Sequence, residues 1–425
     1  PRNAGAFARL ALSARKYARG MVDSGARQVF PDRLRGIALL GIVVVNAPPL
    51  GISVDGFTAE STSGLLDAAA ALAVIALAQG KFYLLFSFLF GYSASFILRA
   101  GAPADRRRFG RRLAGLFVIG IVHAVFFYIG DILMTYAVLG VGLLALAGRS
   151  DRALRRWAAA ALAVGAVLPF LMIGPLAELD PNALTAPTDP TLAALDSALA
   201  AGSFGDAAVA RFDTLPLALA ALFVQQGAMA FSAFCLGLLA ARHRVLAAPA
   251  QRSSQWRRMA VVGLAVGLPV QLAAASLALF SHGDGDTPST MAALGTALVF
   301  VTAPILAAGY IGLLGWGLAA RPSLVAFASV PGRASLSVYI GESVLLSLLF
   351  CGYGLGYFGQ WGALPVVLSG AAAWAVLALA AHGWLGRFGQ GPLESLLARW
   401  TGRRKPQGAP SGTPGQAWIG PPGRR

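Results

Sequence analysis

The sequence predicts an all-α polytopic membrane bundle of about ten transmembrane helices with both termini in the cytoplasm. Three observations carry that prediction. The chain is 57% hydrophobic and 12% charged, which is about half the charged share of a soluble globular domain. Apolar runs recur from end to end, many of them near the roughly 18 residues that cross a bilayer. A length that would suit two soluble domains therefore reads as one bundle over 31–400, with no sizeable water-soluble core. Lys and Arg alternate from loop to loop, and among the clearly extracytoplasmic loops only Arg211 is basic, which is the positive-inside pattern. The net charge of +16 follows from that pattern and from attraction to anionic cytoplasmic lipids. The lipid bilayer is thus the first partner, and nucleic acid is not one. Cys235 and Cys351 fall inside predicted spans, so no disulfide framework is implied.

Residues 1–30 are a basic cytoplasmic segment, with Phe7, Leu10, Ala11 and Ala14 set against Arg9, Arg15, Lys16 and Arg19, a composition suited to the membrane surface. Asp32-Arg33-Leu34-Arg35-Gly36 opens the first span, Ile37 to about Ile52, and the Arg pair fixes its cytoplasmic end. Asn46 lies near the outer end. Leu65 to Leu98 is too long for one simple crossing and breaks at Gly80-Lys81. It reads as an interfacial helix up to Gln79 followed by a span from Phe82, which places Lys81 at the outer interface, where its chain can snorkel. A single tilted helix is the competing reading and carries Lys81 deeper.

Arg106, Arg107, Arg108, Arg111 and Arg112 form the densest basic loop. Behind them Phe109 to Gly142 is a membrane hairpin, two apolar runs hinged at Gly130-Asp131, closed by Arg149, Arg152, Arg155 and Arg156. Trp157 to Leu176 is the fifth span. Residues 177–214 are long, acidic and Pro-containing, an extracytoplasmic loop placed to receive or gate a ligand. Leu215 to Ala241, Met259 to Phe280, Met291 to Ala319, Ala334 to Cys351 and Ala363 to Leu385 supply the remaining spans. Two halves of opposite orientation have the parity of an inverted-repeat transporter. Residues 401–425 are rich in Gly, Pro and Arg and read as a disordered cytoplasmic tail.

Ionisable residues inside hydrocarbon are costly, which makes His123, Asp131 and Glu342 candidates for chemistry. At about 1.5 Å per residue, His123 lies roughly 16 Å beyond Arg112 and Glu342 roughly 13 Å beyond Arg333. Their similar depth pairs them as general base and orienting acid. A neutral Glu342 bonded to Ser337, Tyr339 or Ser343 is the alternative. Asp131, eight residues outward of His123, falls at the level assigned to Lys81, so these two are expected to pair. The four His residues scatter over different levels and no Cys pair exists, so no metal site is expected. Phosphate-binding glycine loops are also missing.

The stretches D-R-L-R-G-I-A-L-L-G-I-V-V-V-N, G-K-F-Y-L-L-F-S-F-L-F-G, R-L-A-G-L-F-V-I-G-I-V-H-A-V-F-F-Y-I-G-D-I-L, G-R-A-S-L-S-V-Y-I and F-G-Q-G-P-L-E-S-L-L occur in that order. Through them the chain resembles, over about residues 30–400, the YeiB-like family of bacterial multi-pass membrane proteins, a family of unknown function. That family is similar to the wider transmembrane acyltransferase superfamily. The resemblance implies a protein of the bacterial cytoplasmic membrane that moves an acyl group from cytoplasmic acyl-CoA to an extracytoplasmic acceptor, a sugar, glycan or other hydroxyl or amine. Acyl-CoA is then a substrate, and no tightly bound cofactor is expected. In that reading Arg35, Arg111 and Arg112 hold the CoA phosphates, and Lys81, Asp131 and Asn46 line the acceptor side. The O-acyltransferase branch has an Arg at the start of its first span and a catalytic His eleven positions on; here Arg35 is followed by Asn46. Asn is no general base, so His123 takes that role. A proton-coupled transporter or exporter using the same residues is the alternative. A homo-oligomer is compatible with the sequence.

Overall fold

The computed structural model describes residues 29–98, 102–179, 190–281 and 290–402, the side chains of 172–179 excepted. The expected surface segment at 1–30, all but its last two residues, and the tail beyond Gly402 lie outside the described residues. Every regular element described is helical.

The first helix, α1 (Val29–Gly51), is the centre of the bundle. Glycine lets its neighbours approach to backbone contact: a Cβ on Gly36 would stand 1.9 Å from the Ala328 carbonyl, and one on Gly41 would stand 2.0 Å from the Phe82 ring. Small residues at such crossings are how membrane helices gain packing without a hydrophobic driving force. Two short helices, α12 (Ser329–Arg333) and α13 (Ser335–Phe350), lie along α1 in the parallel sense, with Gly332 against Asp32 at one end and Phe350 against Gly51 at the other. Helix α14 (Ala363–Phe388) runs antiparallel to α1, with Gly370 against Ala47 and the Trp374 indole N–H on the Gly36 carbonyl at 3.1 Å.

Around this core lie α2 (Leu65–Ala73), a π-helical turn Val74–Ala78, α3 (Phe82–Ile97), α4 (Pro103–Phe126), α5 (Ile132–Leu146) and α6 (Asp151–Leu179). After α7 (Pro190–Ala201) come α8 (Phe204–Leu222), a second π-helical turn Phe223–Gly227, and α9 (Ala228–Arg242). Helices α10 (Ser253–Phe280) and α11 (Thr290–Ala320) zip together antiparallel through Gly263, Gly309 and Gly312. A last helix, α15 (Pro392–Trp400), closes the described chain.

Among the described residues eight helical stretches are long and apolar enough to cross a membrane, and a ninth counts if α12 and α13, bent by 87°, make one crossing. The shortfall against about ten has two sources. Helix α5 has 15 residues and α13 has 16, so at about 1.5 Å per residue each is well short of a hydrocarbon core of about 30 Å. Leu65–Ile97 stays in line across its break and passes as one stretch of 33 residues. The expected interfacial helix and the span after it thus form one apolar stretch, as in the competing reading of a single tilted helix. Residues 204–214, expected as loop, are the first turns of α8, because Ser203 and Asp206 form a capping box that starts the helix early.

Candidate functional site

The α4–α5 hairpin turns tightly: the N–H groups of Phe127 and Tyr128 both bond the His123 carbonyl at 2.9 Å. Asp131 then caps α5, accepting from the Met134 N–H at 3.0 Å through Oδ1. Its second oxygen, Oδ2, lies 2.7 Å from His123 Nδ1. Both side chains are buried, His123 being 1% exposed. The hairpin closes this far because Gly120 faces the cap; a Cβ there would be 2.7 Å from Asp131 Oδ1. A carboxylate on Nδ1 holds the proton at that nitrogen and leaves Nε2 as the lone-pair nitrogen. Nε2 has no hydrogen-bond partner among the described residues.

This geometry corrects the expected pairings. Asp131 meets His123, not Lys81. Counting residues outward from His123 assumed a helix that continues, whereas α4 ends at Phe126 and the chain doubles back, returning Asp131 to the level of His123. Lys81 is fully buried and donates to the Ile75 carbonyl at 2.9 Å. It satisfies a carbonyl beside the break between the π turn and α3, where Gly80 takes a φ of +82°. Its neighbour Phe82 packs on Gly41, midway along α1. Glu342 is buried on α13, one turn beyond Tyr339, and its Oε1 has no partner among the described residues. The carboxylate that orients His123 is that of Asp131, so that role passes from Glu342 to Asp131.

Two cavities approach this pair from opposite ends of α1. One, of about 800 Å³, is lined by α1 residues from Pro31 to Ile42 and by four arginines, Arg35, Arg108, Arg112 and Arg333, over an apolar interior that includes Phe86, Phe90 and Leu116. The other, of about 400 Å³, is lined by α1 residues from Ile42 to Pro49, among them Asn46. Ile42, Ile132 and Tyr339 line both. The His123 ring lies behind this partition, with centroids 5.1 Å from Tyr339 and 6.3 Å from Tyr128. The Ile132 N–H, at the start of α5, donates to the Tyr339 hydroxyl at 3.4 Å, and the Tyr128 hydroxyl reaches Asn46 Oδ1 at 3.3 Å.

Of the arginines expected to hold phosphate, Arg35 and Arg112 line the larger cavity and Arg111 does not; its carbonyl accepts the Trp400 indole N–H. Arg108 and, from α12, Arg333 take its place, and nothing in the basic loop's sequence separates Arg108 from Arg111 before the helix faces are known. Arg35 is ion-paired to Asp32 at 2.7 Å. Glu394 of α15 walls the same cavity and binds the opening of α13, accepting from the Leu336 N–H at 2.7 Å and the Ser337 hydroxyl at 2.6 Å. The stretches G-R-A-S-L-S and G-P-L-E thus meet in space.

Arg211, alone among basic residues in its region, is buried on α8 and donates to the Phe126 carbonyl at the end of α4 at 3.0 Å and to the Tyr353 hydroxyl at 3.2 Å. With Phe204 stacked on Phe126 at 5.8 Å, it covers the hairpin tip. Its solitary position in a region otherwise without Lys or Arg is visible in the sequence, whereas its place over the hairpin tip is a property of the assembled bundle.

Residues 240–404 match the model of a family described as a protein of unknown function, DUF418. The chain is similar to the uncharacterized protein YxaH of Bacillus subtilis, 28% identical over 391 residues that cover 86% of this chain and 92% of the relative. It is similar also to the uncharacterized protein YeiB of Escherichia coli, 26% identical over 383 residues, covering 88% of this chain and 96% of that one. A shorter match, 36% over 118 residues, is to an uncharacterized 39.9 kDa protein of Bacillus acidopullulyticus, with 27% of this chain and 32% of that one covered.

Proposed function

Since the chain belongs to the YeiB-like family of proteins of unknown function, we propose that it is an acyltransferase of the bacterial cytoplasmic membrane, moving an acyl group from cytoplasmic acyl-CoA to an extracytoplasmic acceptor. The observation that carries this reading is the pair of cavities that share Ile42, Ile132 and Tyr339 in their walls, with His123 and Asp131 behind them. The positive-inside rule puts the arginine-lined cavity on the cytoplasmic side. Arg35, Arg108, Arg112 and Arg333 suit phosphate through their forked donors, and the apolar interior suits the pantetheine and acyl chain. The acceptor enters from the other side.

Rotation of Tyr339 opens the way from the partition to His123 Nε2. Nε2 takes the acceptor proton as its oxygen or nitrogen attacks the thioester carbonyl, and Asp131 stabilises the imidazolium. The oxyanion forms near the Ile132 N–H and the Tyr339 hydroxyl, where the start of α5 favours negative charge. The C–S bond then breaks, and the departing thiolate takes the proton from the imidazolium and leaves by the arginine-lined cavity. The reading is tested with purified protein in lipid nanodiscs: acceptor-dependent release of free thiol from acetyl-CoA is expected, abolished in His123→Ala. Proton-gradient-driven solute flux in proteoliposomes without any thiol release would overturn it in favour of a transporter.

A further inference from the structure

The smaller cavity has the build of a ligand site, and its lining selects a chemical class. Two π-helical turns occur among the described residues, and both border it, Val74–Ala78 through Ile75 and Ala78 and Phe223–Gly227 through Gln225 and Gln226. Such turns are rare and recur at functional sites, because they forgo regular hydrogen bonding to re-aim side chains. Independently, Tyr83 lines the cavity while only 8% exposed, and its hydroxyl has no partner among the described residues. A buried hydroxyl without a partner is costly, and a ligand group can relieve that cost.

The remaining polar lining is of one kind: the amides of Asn46, Gln79, Gln225 and Gln226 and the hydroxyls of Tyr128, Thr296 and Tyr339. Amides and hydroxyls both donate and accept, which matches groups that do the same. Phe57, Phe82 and Phe300 supply aromatic walls. Among the described residues the lining holds one charged side chain, Asp55, and no Lys, Arg or His; the nearby Lys81 ammonium is turned onto the Ile75 carbonyl. A carboxylate or phosphate ligand would meet Asp55 with no cation facing it in the lining, while the opposite cavity carries four arginines. Its volume of about 400 Å³ lies within the range of small-molecule sites.

We propose that this cavity binds a polyhydroxylated molecule that carries no acidic group, with Tyr83, Gln225 and Gln226 among its hydrogen-bonding groups and the phenylalanines against its C–H faces. The assignment rests on the acyl-transfer reading only in calling this molecule the acceptor; it narrows that acceptor to a polyol without an acidic group.

The test is equilibrium binding to the full chain in nanodiscs, read by thermal shift and calorimetry, with maltose and N-acetylglucosamine as neutral probes and glucuronate as the anionic one. Saturable binding of at least one neutral probe is expected, with glucuronate at least tenfold weaker. Tyr83→Phe, which keeps the ring, should weaken the neutral probe about three- to tenfold, the loss of one hydrogen bond. Gln226→Met, tested in parallel, should do the same while the apo-protein melts at the wild-type temperature. No saturable binding of either neutral probe, equal binding of glucuronate, or unchanged affinity in both variants would overturn the proposal. Polyol binding without thiol release would remove the acyl-transfer reading and leave the site standing; thiol release without polyol binding would do the reverse.

Discussion

Asp131 does two jobs with its two oxygens, and Asp131→Asn separates them. In the wild type Oδ1 accepts from Met134 N–H and Oδ2 from His123 Nδ1–H. Asn offers one acceptor and one donor group in their place. If the amide oxygen keeps the cap, for which Asn is as good as Asp, its NH₂ faces Nδ1 and forces the other tautomer, with the proton on Nε2. The ring then cannot take a proton at Nε2. Folding should change little, while turnover falls by about 10²–10⁴-fold, the usual contribution of a general base. Asp131→Ala removes both bonds. The cap contributes about 1 kcal/mol and a charge-assisted bond about 1.5–3 kcal/mol, so this variant should lose about 2.5–4 kcal/mol in unfolding from mixed micelles. A cycle with His123→Ala isolates the pair term. Full turnover in Asp131→Asn would refute the role of the pair, and a coupling near zero would refute the pair itself.

Three further outcomes follow from the described contacts. Arg112→Ala should raise the KM for acyl-CoA about tenfold or more through loss of a charge-assisted contact, whereas Arg111→Ala should leave it unchanged; steady-state thiol release distinguishes them. Asp196 on α7 accepts from the Ser53 hydroxyl at 2.6 Å and the Val54 N–H at 2.8 Å, and burial raises its carboxyl above the ordinary carboxylate range, the two hydrogen bonds opposing the rise. The folded state therefore holds this proton more tightly, so its contribution to docking α7 on residues 53–54 is present below the ordinary carboxylate pKa and lost as pH rises through the elevated one. Hydrogen exchange at Val54 should accelerate across that window, and Asp196→Asn should flatten the profile. Single cysteines at 190–201 should react with impermeant reagents in sealed cells, and those at Arg106, Arg152, Arg252 and Arg321 should not.

Hydropathy made the spans legible, and the cost of buried ionisable groups picked out His123 and Asp131, because both signals are local in sequence. The partner of each was not, because depth was measured along an imagined straight helix. At Lys81 and Asp131 that ruler failed in opposite ways: the stretch through Lys81 stayed in line and carried it inward, while the stretch before Asp131 folded back. The G-D of the hairpin reads afterwards as a turn glycine and a helix cap, and Glu394 as a cap supplied from elsewhere to α13. Neither assignment is available without knowing which helix starts nearby. The sequence presents Tyr339 only as a hydroxyl close to Glu342; that it lines two cavities is a property of the assembled bundle.

The partition at Ile42, Ile132 and Tyr339 also has an electrical consequence. With a cavity cut in from each side, the low-dielectric barrier between the two compartments shrinks locally to a layer of side chains. A membrane potential of about 100 mV, worth about 2.3 kcal/mol per elementary charge, then drops mostly across that layer instead of over the whole bilayer. Under the acyl-transfer proposal, a proton passing between the acceptor side and His123 moves within this compressed field. The proposed reaction is then coupled to the energised membrane through one short displacement, and its rate in proteoliposomes should respond to an imposed potassium diffusion potential even when pH is equal on both sides.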